Sequence, residues 1–153
     1  MRKNIELADC CKCPSIAMQI VGTKKAQQML AEPLILGQFI SDQKDMERLL
    51  CSFAGLYSLE NLENNPEAKA VLDMALLNPD AYVLKPQREG GGNNLTGDHL
   101  LNYIQHNPNS LDAFILMEKI KAPLFENTLV KNQIASFSSE TISELGIFGS
   151  ILM

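Results

Sequence analysis

The residues best suited to chemistry lie in one short stretch, residues 85–94, which spells K-P-Q-R-E-G-G-G-N-N. Three consecutive glycines permit backbone conformations that other residues avoid, and they leave successive N–H groups free to face phosphate oxygens. Lys85 supplies a compact positive charge for phosphate, and Glu89 supplies a carboxylate of the kind that magnesium prefers alongside phosphate oxygens. Asn93 and Asn94 add neutral hydrogen-bonding groups. The stretch is therefore suited to covering a magnesium-bound nucleotide.

The three glycines alone would not support that interpretation. A flexible surface hairpin tip has a similar composition, and the stretch is neither a G-x-x-x-x-G-K-[ST] loop nor a G-x-G-x-x-G turn. Lys85 and Glu89, both placed just before the glycines, favour phosphate chemistry over the hairpin tip.

The elements that must position this loop are predicted from residue type and spacing. A β-prone run at residues 81–84 leads directly into the loop, and residues 113–117 form a second candidate for a buried strand. Asp98 is expected to cap a helix that continues to His106. Residues 128–130 and residues 142–152 are further strand-like segments.

Helical patterns dominate the chain before residue 80. Thr23 is a suitable N-cap for a helix that starts at Lys24. Residues 45–57 place apolar side chains at three-to-four spacing, which predicts a helix with one buried face, and residues 67–77 return to helical spacing. We therefore expect one region over residues 1–153, mainly helical to about residue 80, with the strands and the glycine loop from about residue 81. This is an α+β arrangement.

Composition limits the class of protein. The 153 residues allow one domain, and 46% hydrophobic with 20% charged residues is ordinary globular composition. A net charge of −5 argues against nucleic-acid binding. We expect no membrane span and no signal peptide, and therefore a cytoplasmic location. The four cysteines, at positions 10, 11, 13 and 51, are expected to be reduced thiols rather than a zinc site or a disulfide.

The stretch at residues 85–94, followed by Leu95 and Gly97, closely resembles the glycine-rich loop of eukaryotic-type glutathione synthetases, which are members of the ATP-grasp superfamily. The resemblance continues, in the family's order, through K-C-P-S-I, G-T-K-K and F-A-G-L-Y-S-L upstream, and through I-L-M-E-K-I, F-E-N and I-S-E-L-G-I-F-G downstream. Residues 31–50, 61–80 and 99–112 do not contribute to it. It implies an ATP-grasp-like nucleotide-binding region that is incomplete at both ends, because family members are far longer.

The resemblance also implies the site residues. Lys24 matches the family's phosphate-contacting lysine, whereas Lys25 is expected to be solvent-facing or structural. Glu89 matches a magnesium ligand, and Glu144 matches a carboxylate that binds the ribose hydroxyls. The implied ATP-binding residues are Lys24, Lys85, Pro86, Gln87, Arg88, Glu89, Gly90, Gly91, Gly92, Asn93, Asn94, Met117, Glu118, Lys119, Ile120 and Glu144, with residues 117–120 along the adenine. Thr96 departs from the family, which usually has a tyrosine there.

The reaction implied by the resemblance is ligation of γ-glutamylcysteine to glycine, using ATP and Mg²⁺ and releasing ADP and phosphate. The family acts as a homodimer. Because the family places further magnesium ligands and most of the dipeptide site outside this span, we expect a fragment without ligase turnover of its own. The alternative is a catalytically dead nucleotide-binding or interaction module, produced as a truncated product.

Overall fold

The structure is a computed structural model that describes residues 2–88, 91–147 and 149. The chain divides into two compact units, Met1–Lys119 and Ile120–Met153. The helices are α1 (Arg2–Leu7), α2 (Ile16–Val21), α3 (Lys24–Leu30), α4 (Pro33–Leu36), α5 (Gln43–Leu50), α6 (Pro66–Leu77) and α7 (Gly97–His106). The strands are β1 (Leu56–Ser58), β2 (Tyr82–Pro86), β3 (Phe114–Glu118), β4 (Phe125–Lys131) and β5 (Ile134–Thr141). None of the helices in the described part of the chain is long and apolar enough to cross a membrane.

The first unit is organised around a three-stranded antiparallel sheet with the order β1-β3-β2. Leu116 in the central strand lies opposite Tyr57 on one side and Leu84 on the other, and both leucines are fully buried. This face of the sheet packs against α6 and α7. The buried residues of the core are Leu59, Leu72, Ala75, Tyr82, Leu84, Leu100, Ile104, Leu111 and Leu116.

The opposite face of the same sheet holds the residues that alternate with that core, because side chains along a strand point to the two faces in turn. Ser58, Ile115 and Lys85 form one row across the three strands, and Leu56, Met117 and Val83 form the next. Helix α3 contacts β1 and β3. The core on one face thus fixes the strands whose other face presents Lys85.

Short helices precede the sheet, as the spacing predicts. The Thr23 hydroxyl accepts a hydrogen bond from the backbone N–H of Ala26 at 3.3 Å, which confirms Thr23 as the N-cap of α3. The helix predicted over residues 67–77 is α6, and Asn78 is its C-cap. The strand predicted over residues 81–84 is β2, and the one predicted over residues 113–117 is β3.

The helix predicted over residues 45–57 is wrong in its second half. Helix α5 ends at Leu50, none of its residues is buried, and Leu56 and Tyr57 belong to a strand. The apolar spacing is compatible with a helix locally, but the backbone groups of β1 pair with β3, nearly 60 residues further along the chain. Tertiary pairing therefore overrides the local pattern.

Asp98 is not the cap of α7, contrary to prediction. Thr96 occupies the N-cap position, without a hydrogen bond from its side chain, and Asp98 lies in the first turn. A carboxylate in the first turn still interacts favourably with the helix dipole. The helix ends at His106, as predicted.

The second unit contains a two-stranded hairpin of β4 and β5. Asn132 and Gln133 form its turn with φ angles of 53° and 66°, and such left-handed pairs match the twist of two-residue hairpins. The prediction of a strand at residues 128–130 is confirmed. Strand structure predicted over residues 142–152 is wrong for residues 142–147, because the second strand ends at Thr141. Residues 148 and 150–152 lie outside the described residues.

Candidate functional site

The glycine loop leaves the sheet at the end of β2 and returns to the same strand. Leu84 donates its N–H to the carbonyl of Leu95 at 2.9 Å and accepts the Leu95 N–H at 3.0 Å. These two bonds close the loop on the free edge of β2, one residue before Lys85. The predicted strand-to-loop connection is therefore present, with both ends of the loop tied together.

Two lysines converge beside the start of this loop. Burial lowers the pKa of Lys85, and the positive charge of Lys24 lowers it further. No ion pair within residues 2–88 and 91–147 involves either lysine. Two like charges in a partly desolvated position repel each other, and an anion between them would relieve that repulsion. The arrangement is chemically suited to binding phosphate.

Lys24 also lines a cavity with the first residues of the loop. The cavity has a volume of about 200 Å³ and is lined by Gln19, Thr23, Lys24, Gln87 and Arg88. The side-chain carbonyl Oε1 of Gln87 accepts the backbone N–H of Lys25 at 3.2 Å. The first turn of α3 and the start of the loop are thus joined by a hydrogen bond and share one polar cavity.

A second cavity, of about 470 Å³, is also lined by Gln87 and Arg88. Asn93 and Leu95 from the loop line it, together with Tyr103 and Phe114, whose rings are 4.9 Å apart. Gln87 and Arg88 therefore line both cavities.

Packing against the described residues does not require a glycine at position 92. A Cβ added there would meet no described atom within 4 Å, and the φ angle of Gly92 is not in the left-handed region. Gly97 differs, because its φ is +54° and an added Cβ would lie 3.1 Å from the Asp80 carboxylate. A glycine that neither the backbone nor its neighbours demand is consistent with a surface that a ligand approaches closely.

The segment predicted to follow the adenine begins on β3, where neighbouring side chains point to opposite faces. Met117 lies on the face that holds Lys85, and it is opposite Val83. Glu118 lies on the other face, where its Oε1 accepts a hydrogen bond from the Tyr57 hydroxyl at 2.9 Å. The Glu118 carboxylate is therefore used within the protein, and a role at the nucleotide would fall to its backbone.

Backbone hydrogen bonds also hold this segment. The N–H of Glu118 donates to the carbonyl of Gly55 at 2.9 Å, and the N–H of Lys119 donates to the carbonyl of Ala81 at 2.8 Å. A Cβ at Gly55 would lie 2.7 Å from both Glu118 Cδ and the Tyr57 hydroxyl oxygen. Desolvation, together with the hydrogen bond to Glu118, raises the pKa of Tyr57 to about 12.

The structure brings together only part of the predicted site. Lys24, Lys85, Gln87 and Arg88 lie close together, while Pro86 ends β2 and Asn94 is exposed further along the loop. Gly91, Gly92 and Asn93 form a short 3-10 turn. Ile120 and Glu144 belong to the second unit. Glu89 and Gly90 lie outside the described residues.

Sequence reasoning missed the supporting residues Gly55 and Tyr57. The signal was present in F-A-G-L-Y-S-L, which supports the family resemblance. Neither Gly55 nor Tyr57 has an evident chemical role in the sequence. Only the strand pairing shows that both contact Glu118.

Comparison with known proteins gives a consistent answer for this α+β domain. A family model described as eukaryotic glutathione synthase, ATP binding domain, matches residues 3–153. A glutathione synthetase of Xenopus laevis is 45% identical over 151 residues, which cover 97% of this chain and 31% of that protein. The human glutathione synthetase is 44% identical over 148 residues, covering 95% of this chain and 31% of its own length. A chloroplastic glutathione synthetase of Solanum lycopersicum is 43% identical over 145 residues, 92% of this chain and 25% of the relative.

The chain belongs to the eukaryotic glutathione synthase ATP-binding domain family. The predicted resemblance and the α+β, ATP-grasp-like fold class are therefore confirmed. The chain spans between 25% and 31% of the length of these relatives.

Proposed function

We propose that this chain forms the ATP-binding part of a glutathione synthetase. The single observation that supports this most strongly is the convergence of Lys24 and Lys85 beside the glycine loop, where the charge of Lys24 lowers the pKa of Lys85. Phosphate oxygens between the two ammonium groups would offset their mutual repulsion. Arg88, which lines the same cavity as Lys24, is positioned to add a further cation.

The rest of the nucleotide would follow the end of β3. We assign the adenine to the face of Met117, with backbone groups of residues 117–120 at the edge of the base, and the ribose hydroxyls to Glu144. The side of the sheet that holds Lys85 also holds Met117, so phosphates and base can bind along one face. Gly91, Gly92, Asn93 and Asn94 would cover the phosphates from the loop.

Magnesium fits the proposed donor set by its chemistry. Mg²⁺ is usually bound by one or two carboxylates together with phosphate oxygens, rather than by a cage made only of protein groups. The described residues contain no cluster of three or more His, Cys, Asp or Glu side chains that could hold a metal ion. We therefore propose Glu89 as the protein's ligand, with the nucleotide phosphates supplying further oxygens. When bound, the ion would neutralise charge on those phosphates.

The reaction we propose for the whole protein is ATP-dependent ligation of γ-glutamylcysteine and glycine to give glutathione, ADP and phosphate. Lys24, Lys85 and the loop N–H groups would hold the transferring phosphoryl group and stabilise the charge that develops on it. These groups form no covalent bond themselves. A homodimer and a cytoplasmic location stay predictions, and the tomato relative is named as chloroplastic.

Thermal unfolding of the 153-residue chain tests the proposed nucleotide site. Because a ligand that binds only the folded state stabilises it, MgADP at one hundred times its Kd should add about 2.7 kcal/mol to the free energy of unfolding. We expect a higher Tm with MgADP than with Mg²⁺ alone. Calorimetric titration with MgADP measures the same binding directly.

Two lysine variants make the test specific to the site. Lys24→Met removes a proposed phosphate contact, whereas Lys69→Met removes the same charge from an exposed position on α6, which packs against the other face of the sheet. Lys24→Met should lose most of the MgADP effect, and Lys69→Met should keep it. Absence of MgADP binding in the unaltered chain, or equal loss in both variants, contradicts the proposal. Glutathione formation in the presence of both substrates would separate a ligase from a module that only binds nucleotide.

A further inference from the structure

The two adjacent lysines of the G-T-K-K segment make different contacts in the structure. Lys24 lines the polar cavity at the start of the glycine loop. The ammonium group of Lys25 instead donates to Glu60 Oε2 at 2.7 Å and to Ser58 Oγ at 3.1 Å, while its backbone N–H donates to Gln87 Oε1 at 3.2 Å. Lys25 therefore connects three segments that are far apart in sequence: α3, the end of β1 and the start of the loop.

These contacts converge on the strands that hold Lys85. Ser58 of β1 and Lys85 of β2 lie on either side of Ile115 in a single row across the sheet. The Lys25 ammonium group is bound at the β1 end of that row. The backbone N–H of Lys25 donates to Gln87, which follows Lys85 by two residues. These contacts fix the position of α3 relative to both β1 and the start of the glycine loop.

Helix α3 needs such an anchor. It has seven residues, of which only Gln28 is buried, and isolated helices of this length are unstable in water. Lys24 at its start also repels Lys85. This repulsion acts against the packing of α3 on β1 and β3, and the Lys25 contacts oppose it. The Lys25 hydrogen bond lowers the pKa of Glu60.

From this geometry we infer that Lys25 is a positioning residue: it docks α3 through Glu60 and Ser58 so that Lys24 stays beside Lys85 at the phosphate-binding end of the site. The inference rests on the proposed nucleotide site. Glu60 is its partner in this role, and neither side chain touches the nucleotide. Because the Lys25 and Glu60 side chains are 34% and 54% exposed, the pair contributes little to global stability. We therefore expect the Lys25–Glu60 pair to affect the affinity for phosphate rather than the free energy of unfolding.

Calorimetric titration of the 153-residue chain with MgADP and, separately, with adenosine tests the inference. The variants are Lys25→Met, Glu60→Ala and the double variant, with Lys69→Met and Glu63→Ala as charge-matched controls at exposed positions. We expect Lys25→Met and Glu60→Ala each to weaken MgADP binding about fivefold to tenfold, with adenosine affinity unchanged. The double variant should bind no more weakly than either single variant, because both remove the same contact. Lys25→Arg should restore most of the affinity.

Glu60→Ala provides the sharpest test. Removing a negative charge near a phosphate site strengthens binding if only long-range electrostatics acts, whereas loss of positioning weakens it. Weaker MgADP binding by Glu60→Ala therefore supports the inference, and unchanged or tighter binding overturns it. Lys25→Met that weakens binding without an effect of Glu60→Ala would make Lys25 a direct ligand and also overturn it. No MgADP binding by the unaltered chain would instead overturn the proposed nucleotide site. Unfolding curves in urea identify any variant that loses affinity only by unfolding.

Discussion

The two faces of the three-stranded sheet differ in how they are held. One face is closed by α6 and α7, and Leu84 and Leu116 on it have no exposed surface. The other face meets the short helix α3 and presents Lys85, whose charged form is disfavoured by burial and by Lys24. The first face is held by a continuous apolar core, whereas the second combines the buried side chains of Val83 and Ile115 with a few polar contacts made by Lys25.

This difference shows how a small domain can maintain an unfavourable charge arrangement. Lys85 and Lys24 repel each other, so their proximity must be stabilised by other parts of the molecule. The core supplies that stability from the opposite face, through the same strands. Changes in the core face and changes in the polar contacts of α3 should therefore have separable consequences, the first for folding and the second for nucleotide affinity.

Truncating the core face should give the largest effect on stability. Leu116→Ala leaves a cavity in the core on the α6 and α7 side of the central strand, at a fully buried position, and it should lower the free energy of unfolding by about 2–5 kcal/mol. Met117→Ala, one residue further and on the other face, should lower it by less than half as much, because Met117 is only partly buried. Urea denaturation followed by circular dichroism measures both. Equal losses would mean that the two faces contribute equally to folding.

The sequence alone indicated the elements set by local rules better than those set by distant pairing. The capping of α3 by Thr23, the entry of β2 into the loop and the span of α6 follow local rules, and they were predicted. The strand at Leu56–Ser58 was not, because its pairing partner is distant in sequence. Only the first strand of the β4–β5 hairpin was predicted. The second strand, β5, was not predicted because it is rich in serine.

In the site, too, residue type alone does not show what a side chain contacts. Resemblance assigned phosphate binding to Lys24 rather than to Lys25, yet by residue type the two are identical. Successive residues on a helix point in directions about 100° apart. Only the placement of α3 shows that Lys25 reaches Glu60 while Lys24 lines the cavity. Likewise, Glu118 belongs to the predicted site by sequence, whereas the structure pairs its carboxylate with Tyr57.

Removing the unfavourable charge should separate stability from affinity. Lys85→Met relieves repulsion by Lys24, so we expect no loss in the free energy of unfolding of the ligand-free chain, and at least a roughly tenfold loss of MgADP affinity. The pKa of folded Lys85 lies below its ordinary value of 10.5. Between those two values the unfolded chain binds more protons, so the stability of wild type should rise with pH relative to Lys85→Met. Denaturation at several pH values and titration with MgADP check both parts. Destabilisation by Lys85→Met at neutral pH would contradict this account.

A side chain at Gly92 should affect ligand binding alone. Gly92→Ala meets no described atom, and it reduces the entropy of the unfolded chain, so stability should be unchanged or higher by up to about 1 kcal/mol. If the loop backbone closely approaches phosphate, MgADP affinity should fall about fivefold. Gly97→Ala is the matched comparison: its φ of +54° predicts lower stability. Unaltered MgADP affinity in Gly92→Ala would argue against close approach at that residue.

The smallest effect is expected at the hydrogen bond between Tyr57 and Glu118, at the end of β3. Tyr57→Phe removes the hydrogen bond to Glu118 and should lower the free energy of unfolding by less than about 1 kcal/mol, because the pair is partly exposed. Gly55→Ala should cost a similar amount by displacing the same two side chains, and the double variant should cost little more than either change alone.

Folding raises the pKa of Tyr57 from 10.0 to about 12, so the folded state holds this proton more tightly. The advantage of wild type over Tyr57→Phe should therefore be complete below pH 10 and disappear as the pH rises through 12. An advantage that persists beyond that range would assign the stability to a group other than the Tyr57 hydroxyl, because phenylalanine retains the packing of the ring.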